Sequence, residues 1–185
     1  MRLGSRVVVG AAVVAVGALA ACLRLYVFPA HDEPRDVDAV YVIGPPTDAR
    51  MAVAEDMIAR GMSDTLVISL VEDDARDRAR WKRAAELCDS AGEQPFSVLC
   101  SQPDPFTTRG EARWLRALAD ERGWESAAVI TITPHLTRAR VIMRRCWDGD
   151  IAYVDSGERL APWYWLYHFA YQSAAFVKVS LEDGC

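Results

Sequence analysis

The sequence predicts an α/β protein in which helices cover both faces of a mainly parallel, doubly wound sheet of five strands, behind one N-terminal transmembrane or signal helix. Three observations support this fold class. Five short apolar runs recur along the chain, stretches with helical spacing separate them, and a long apolar segment begins at residue 7. Because no internal repeat or low-complexity linker interrupts the alternation, we expect one domain over residues 36–181.

The N-terminal segment, residues 1–30, has the composition of a membrane anchor. Residues 7–23 form a run of 17 apolar and small residues behind Arg2 and Arg6. As a helix this run measures about 26 Å, against about 30 Å for a hydrocarbon core. Acidic residues follow the run, so the positive-inside rule places the rest of the chain outside the cytoplasm. We therefore expect a single-pass signal anchor in the plasma membrane with an extracytoplasmic C-terminal domain.

Cys22 offers an alternative to this topology. Residues 19–22, Leu-Ala-Ala-Cys, resemble a lipoprotein cleavage box, in which Cys22 would become a lipid-modified N-terminus. The residues that follow, Leu23 and Arg24, are unusual after such a box. We favour an uncleaved membrane helix in which Cys22 is a small apolar residue.

The strands and helices are predicted from residue pattern. Short β-branched runs bounded by turn residues are typical of buried parallel strands, and they occur at 39–43, 65–69, 96–100, 127–132 and 151–154. Apolar residues recur at helical spacing in residues 48–60 and 108–122. Residues 162–179 are rich in aromatic side chains and are predicted to form a closing helix.

The charge of the exported part excludes some partners. Residues 31–185 carry 18 basic and 26 acidic side chains, a net charge of −8. A domain with this net negative charge binds nucleic acid poorly. The composition also excludes a disordered chain, a collagen and a polytopic membrane protein.

Four cysteines lie beyond the N-terminal segment: Cys88, Cys100, Cys146 and Cys185. An even number in a compartment where disulfides persist indicates two structural bridges. Of the three connectivities we favour Cys146–Cys185 and Cys88–Cys100, although a regular helix leading to Cys88 would place it at the opposite end of the sheet from Cys100. No zinc-binding spacing occurs, so we predict no metal site.

Polar residues are concentrated where the predicted strands end, which is where open parallel sheets bind ligands. The candidate ligand-binding residues are Gly44, Arg50, Ser69, Thr107, Thr108, Thr133 and Arg138, and the candidate catalytic residues are Glu111 and His135. Several of them have simpler explanations. Thr108 with Glu111 fits a capping box, Thr133 before Pro134 fits a helix N-cap, and Gly44 fits a turn.

His135 and Arg138 point more directly to a ligand. A charged histidine in the first turn of a helix is unfavourable, because the helix N-terminus is already positive, and Arg138 adds to the repulsion. A phosphate or carboxylate would satisfy both side chains, with His135 as donor or general acid and Arg138 as clamp. The alternative is a solvated histidine on a surface turn.

The order of these motifs resembles the YdcF/SanA/ElyC-like family, domain of unknown function 218. The similarity covers about residues 36–181 and rests on four stretches, Asp38–Gly44, Thr65–Ser69, Pro103–Ala112 and Thr131–Ala139. It implies a Rossmann-like three-layer fold, frequent membrane anchoring, and roles in bacterial envelope biogenesis or integrity. Since one cytoplasmic member is reported to bind S-adenosylmethionine, the resemblance also makes this cofactor a candidate.

The chain departs from the family pattern at three points. Pro45 and Pro46 follow Gly44 where relatives have further glycines, which removes two backbone donors from a phosphate-binding turn. Leu70 follows Ser69 where a glycine pair is frequent, and Phe169 follows His168 where a glutamate is common. These changes raise the alternative of a specialised or degenerate site.

Three functions are therefore expected from different classes. The first is an envelope enzyme acting on a phosphorylated or lipid-linked precursor. His135 would be its acid or base, Arg50 and Arg138 would hold the anion, and Glu111 would orient a water or hydroxyl. The second is a non-catalytic module that senses such an anionic ligand. The third is a docking protein that uses the aromatic residues of the closing helix to bind the membrane or another protein, although we expect these to pack against the core: Trp163, Tyr164, Trp165 and Tyr167.

Overall fold

The computed structural model describes residues 2–71, 75–182 and 184–185, with side chains from residue 7 onward. Its sheet consists of β1 (Ala39–Val42), β2 (Thr65–Ser69), β3 (Ser97–Ser101), β4 (Ser126–Thr131) and β5 (Asp150–Asp155). The strands lie in the order β3-β2-β1-β4-β5, and every neighbouring pair is parallel. The predicted fold class is confirmed, and each predicted strand end is within one residue of the observed one.

The helices connect and cover these strands. They are α1 (Arg2–Cys22), α2 (Asp48–Ala59), α3 (Ala75–Arg80), α4 (Lys82–Asp89), α5 (Thr108–Arg122), α6 (Leu136–Cys146) and α7 (Pro162–Leu181). A π-helical segment, Leu23–Val27, continues α1, and a short 3₁₀ turn, Thr133–His135, precedes α6. The three predicted helices correspond to α2, α5 and α7.

The core forms two layers because side chains alternate between the faces of each strand. Tyr41 and Ile43 of the β1 segment face the layer that contains α5 and α6, whereas Val40 and Val42 face the layer that contains α2 and α4. All four side chains are fully buried. The sheet is therefore the middle of three layers, which is the expected arrangement.

The apolar helix at the N-terminus is long enough to cross a membrane. The segment Val7–Val27 has a mean hydropathy of 2.3, and the 18-residue window that gives it this membrane-spanning character is not buried against the domain. By length and composition it is a candidate membrane anchor or signal.

Both predicted disulfides are present. Cys146 is bonded to Cys185, which ties the C-terminus to the end of α6. Cys88 is bonded to Cys100 of β3. The expected obstacle does not arise because the helical connection is divided at Trp81, and α4 has only eight residues, so that it leaves Cys88 beside the strand. Cys22 is free and partly exposed.

The packing expected for the aromatic residues of α7 is wrong for two of the four. Trp163 is 69% exposed and Tyr167 is 51% exposed, whereas Tyr164 and Trp165 are partly buried. The inward face of α7 is instead formed by three other side chains, His168, Gln172 and Val179.

Candidate functional site

The candidate site lies where the chain changes direction in the sheet. The chain leaves β1 toward β2 and β3, then crosses to β4 and β5 on the other side. The carboxyl ends of β1 and β4 therefore border a topological switch point, which is the usual place for a ligand in such sheets. The N-terminus of α5 covers this point, because α5 connects β3 to β4.

Glu111, in the first turn of α5, occupies the centre of the site. Its side chain is buried and accepts a hydrogen bond of 2.6 Å from the backbone N–H of Gly44. The Ser69 hydroxyl at the end of β2 also bonds to it, and Ser69 is itself 2.8 Å from the hydroxyl of Tyr41. Glu111 therefore joins the ends of β1 and β2.

Burial raises the pKa of Glu111 from its ordinary value of 4.5 to about 6. The Gly44 amide, the Ser69 hydroxyl and the charges of Arg50 and Arg138 oppose this rise, in that order. A carboxyl group with this pKa exchanges protons readily near neutral pH, as a general acid or base must.

The capping box predicted for Thr108 and Glu111 is wrong. The N-cap of α5 is Thr107, whose hydroxyl accepts the N–H of Gly110 at 3.3 Å. The helix thus begins one residue earlier than the box requires. Glu111 is consequently turned toward Gly44, and the hydroxyl of Thr108 faces the site.

His135 is buried between two threonine hydroxyls. Its Nδ1 is 2.9 Å from the Thr131 hydroxyl, and its Nε2 is 3.3 Å from the Thr108 hydroxyl. Burial, together with the charges of Arg138 and Arg50, holds the pKa of His135 well below its usual range. The ring is therefore neutral, and the alternative of a solvated histidine on a surface turn is wrong.

Arg50 is the more firmly held of the two guanidinium groups. It donates from Nε to Glu158 at 3.1 Å and from Nη1 to the carbonyl of Ile43 at 2.9 Å. Glu158 also accepts hydrogen bonds from the hydroxyls of Thr47 and Ser156. The positive charge of Arg50 is thus paired with a carboxylate inside the protein.

Arg138 has no such partner. Its Nε donates to Gln172 at 2.7 Å, its Nη1 lies 3.5 Å from the Thr108 hydroxyl, and the ring of Tyr171 lies beneath it. Within the described part of the chain, no carboxylate oxygen lies within salt-bridge distance of Arg138. Among the described residues of the site, its guanidinium is therefore a positive charge that no carboxylate pairs.

His168 of α7 completes the cluster and was not among the predicted site residues. It is 5% exposed, and neither ring nitrogen has a hydrogen-bond partner among the described residues. Burial lowers its pKa, and so do the charges of Arg50 and Arg138, and His168 lies one helical turn before Gln172, which bonds to Arg138. A buried imidazole without partners is rare in proteins and indicates a place for a bound molecule or water.

Two predicted residues are directed elsewhere. The hydroxyl of Thr133 donates to Asp155 at 2.7 Å, so the predicted N-cap role is wrong. The hydroxyl of Thr107 is used in capping α5. The structure brings the other predicted residues together: Gly44, Arg50, Ser69, Thr108, Glu111, His135 and Arg138.

Gly44 is closely packed by its neighbours. A Cβ at this position would lie 3.3 Å from Oε1 of Glu111 and 3.3 Å from the ring of Phe106. The ring of Phe106 thus lies beside Gly44, although Phe106 is itself 43% exposed. Two surface clefts of the described structure lie elsewhere, one at the amino ends of the strands near Met62 and one beside α2.

Metal ligands do not gather at this site. Among the residues that the structure describes, no group of three His, Cys, Asp or Glu side chains is placed to hold an ion. The donors of the cluster are hydroxyls, guanidiniums and imidazoles, which suit an anion.

Together, fold and site define a doubly wound α/β protein with a buried, partly cationic cluster at its topological switch point. Comparison of the chain with protein-family models, with curated proteins and with solved structures finds no match. The resemblance to the YdcF/SanA/ElyC-like family therefore rests on the sequence motifs and stays a prediction.

Proposed function

We propose that the chain is a membrane-anchored, extracytoplasmic member of the YdcF/SanA/ElyC-like family with a role in bacterial envelope biogenesis or integrity. In this proposal it binds a phosphorylated or nucleotide-like envelope precursor at the buried cluster. The apolar N-terminal helix and the two disulfides support the extracytoplasmic placement. The order of the motifs at the strand ends supports the family assignment.

The anion-binding proposal rests on one observation: two side chains of the site have polar groups without a matching partner. Arg138 has a guanidinium without a carboxylate, and the nearby His168 has two ring nitrogens without partners. A phosphate group supplies several acceptor oxygens to both, and bonds between charged groups are the stronger kind. Arg50 is held by Glu158, so its positive charge adds to the electrostatic attraction of an anion without contacting the anion directly.

Glu111 is the group best suited to move a proton in this site. Its pKa of about 6 lets it accept a proton from an attacking water or hydroxyl and release it afterwards. His135 is neutral and serves as a hydrogen-bond donor or acceptor through the hydroxyl of Thr108. If turnover occurs, we expect hydrolysis or transfer at the phosphoryl group with Glu111 as general base.

A non-catalytic sensor is the second candidate, and the structure of the turn after β1 favours it. Pro45 and Pro46 provide no N–H groups to a phosphate, and the ring of Phe106 lies close to Gly44. Such a site would bind its ligand without cleaving it.

S-adenosylmethionine does not fit this cluster well. Its sulfonium is a cation, whereas Arg50 and Arg138 already place two positive charges among buried groups.

The proposal is tested by ligand-induced thermal stabilisation of the full chain in detergent micelles. The probes are inorganic phosphate, a nucleoside diphosphate, a polyprenyl phosphate and S-adenosylmethionine. We expect a phosphorylated probe at about 100 times its Kd to stabilise the folded state by about 2.7 kcal/mol. Arg138→Gln should abolish this shift, whereas Arg116→Gln, at an exposed position of α5, should preserve it.

Retention of the shift in Arg138→Gln, or no shift with any phosphorylated probe, would contradict the anion site. Release of phosphate or of the alcohol product then separates the two candidates. An enzyme should lose turnover in Glu111→Gln and keep binding, whereas a sensor shows no product in either protein.

A further inference from the structure

The outward face of α7 is apolar along the whole helix. Six large apolar or aromatic side chains along the helix are exposed to between 47% and 81%: Trp163, Leu166, Tyr167, Tyr171, Val177 and Leu181. From first to last they span about 27 Å at 1.5 Å per residue. The helix contains one charged residue, Lys178. Large contiguous apolar surfaces of this kind are uncommon on soluble domains and mark an interaction site.

Rotation of α7 cannot bury this face, because the opposite face is already committed to the domain. His168 and Gln172 are buried in the polar cluster, and Val179 belongs to the core. Gln172 also accepts the hydrogen bond from Arg138. The exposed face therefore needs a partner outside the domain.

The N-terminal helix places this face next to the point where α1 ends. Tyr26, four residues beyond α1, is 3% exposed, and its ring centroid lies 6.1 Å from that of Phe169 and 6.2 Å from that of Phe176. Its hydroxyl is 3.2 Å from the Ser173 hydroxyl. The inner flank of α7 is thus packed directly on the end of the apolar helix, with no flexible linker between them.

A second contact fixes the same end of the apolar helix to α6. The Thr137 hydroxyl donates to the carbonyl of Leu25 at 2.7 Å. Because Tyr26 packs on α7 only four residues after the end of α1, the surface of a bilayer that contains α1 lies close to α7. Trp and Tyr are the side chains enriched at this depth, and Lys178 and Arg24 are long enough to extend to the headgroups.

We propose that the outward face of α7 lies in the lipid–water interface of the membrane that holds α1, so that the domain is seated on the bilayer rather than suspended above it. The occupant of this face is the lipid bilayer. The inference rests on the membrane anchoring in the proposed function, and it is independent of the anion site.

Spin labels on the full chain test this placement in vesicles of phosphatidylethanolamine and phosphatidylglycerol. Cys22→Ser removes the free thiol, and single cysteines are then introduced as Leu166→Cys on α7, Val13→Cys in α1 and Arg116→Cys on α5. All three positions are exposed in the structure, so labels are tolerated. Collision with oxygen, which concentrates in lipid, is compared with collision with a water-soluble nickel chelate.

We expect the Leu166→Cys label to collide with the nickel chelate several-fold less often than the Arg116→Cys label, and to collide more with oxygen. Equal access to the chelate at the two positions would overturn the inference. Protection at Leu166→Cys that is accompanied by spin–spin broadening, and lost on dilution with unlabelled chain, would also overturn it, because a second copy would then cover the face.

The label at Val13→Cys separates this inference from the proposed anchoring. Protection at Val13→Cys with free access at Leu166→Cys refutes the seating of α7 and leaves the anchor intact. Free access at Val13→Cys refutes the anchor itself.

Discussion

Replacing Glu111 by glutamine should stabilise the folded chain at neutral pH. The pKa of this buried carboxyl is raised from 4.5 to about 6, so the ionised form is disfavoured in the folded state. Each pKa unit corresponds to about 1.36 kcal/mol, which gives a destabilisation of about 2 kcal/mol once the carboxyl is fully ionised. Glutamine has the same shape and can still accept the hydrogen bond from the Gly44 N–H.

The sign of the effect determines its pH dependence. Below pH 4.5 the carboxyl is protonated in both folded and unfolded chains, and Glu111→Gln should match the wild type. As pH rises through about 6, the wild type loses stability that the variant keeps. At pH 7.5 we expect a higher Tm for the variant by about 4 to 8 °C for a domain of this size.

Thermal unfolding of the full chain in micelles, followed by tryptophan fluorescence from pH 4 to pH 8, measures this difference. Glu121→Gln is the matched control, because Glu121 lies exposed on the same helix. A pH-independent loss of stability in Glu111→Gln would refute the reasoning. It would mean that an ionised Glu111 is a structural partner of the arginines rather than a strained buried acid.

Three other changes have defined expectations. His168→Leu removes two buried nitrogens without partners, so Tm should rise by the equivalent of about 1 to 3 kcal/mol while binding of the phosphorylated probe weakens in the thermal-shift assay. Gly110→Ala would place a Cβ against the carbonyl oxygen of Pro105, and denaturation should show a loss of about 1 to 3 kcal/mol. Replacing Cys146 and Cys185 by alanine opens a loop with a sequence separation of 39, and denaturation should show a loss of about 4 kcal/mol.

Matched controls make these outcomes informative. Gly92→Ala has open space around its Cβ and should leave Tm almost unchanged, in contrast to Gly110→Ala. Tyr167→Leu, on the exposed face of α7, should not reproduce the stabilisation of His168→Leu. A destabilised His168→Leu variant would mean that the imidazole has a partner, such as a bound water, even without ligand.

The strands were predictable because a buried parallel strand can be identified from a short run of consecutive apolar residues. Residues such as Val40 and Val42 face one core layer while Tyr41 faces the other, so the whole run must be apolar. The location of the site was also predictable, since parallel strands bring their carboxyl ends, and the residues that follow them, to one edge of the sheet.

The contacts within the site were not predictable from local pattern. Thr108 and Glu111 have the spacing of a capping box, but the decisive partner of Glu111 is Gly44, 67 residues away in the chain. His168 carries no motif of its own here, because Phe169 follows it. His168 can be identified as a site residue only once the buried and exposed faces of α7 are known. Tertiary packing decides which face is buried.

Helix α7 connects two properties of the protein that the sequence presents separately. Its inner side supplies His168 to the cluster and holds Arg138 through Gln172, and its outer side is apolar. The π-helical segment after α1 packs against both α7 and the Thr133–His135 turn. If the domain is seated in this way, Arg138, which bonds to Gln172 of α7, would lie close to the headgroup region, and an anion carried on a lipid would reach it from the membrane side. We therefore expect the polyprenyl phosphate, presented in the same micelle, to stabilise the chain at lower concentration than the soluble nucleoside diphosphate. The opposite order in the thermal-shift assay would indicate a ligand that enters from the aqueous side.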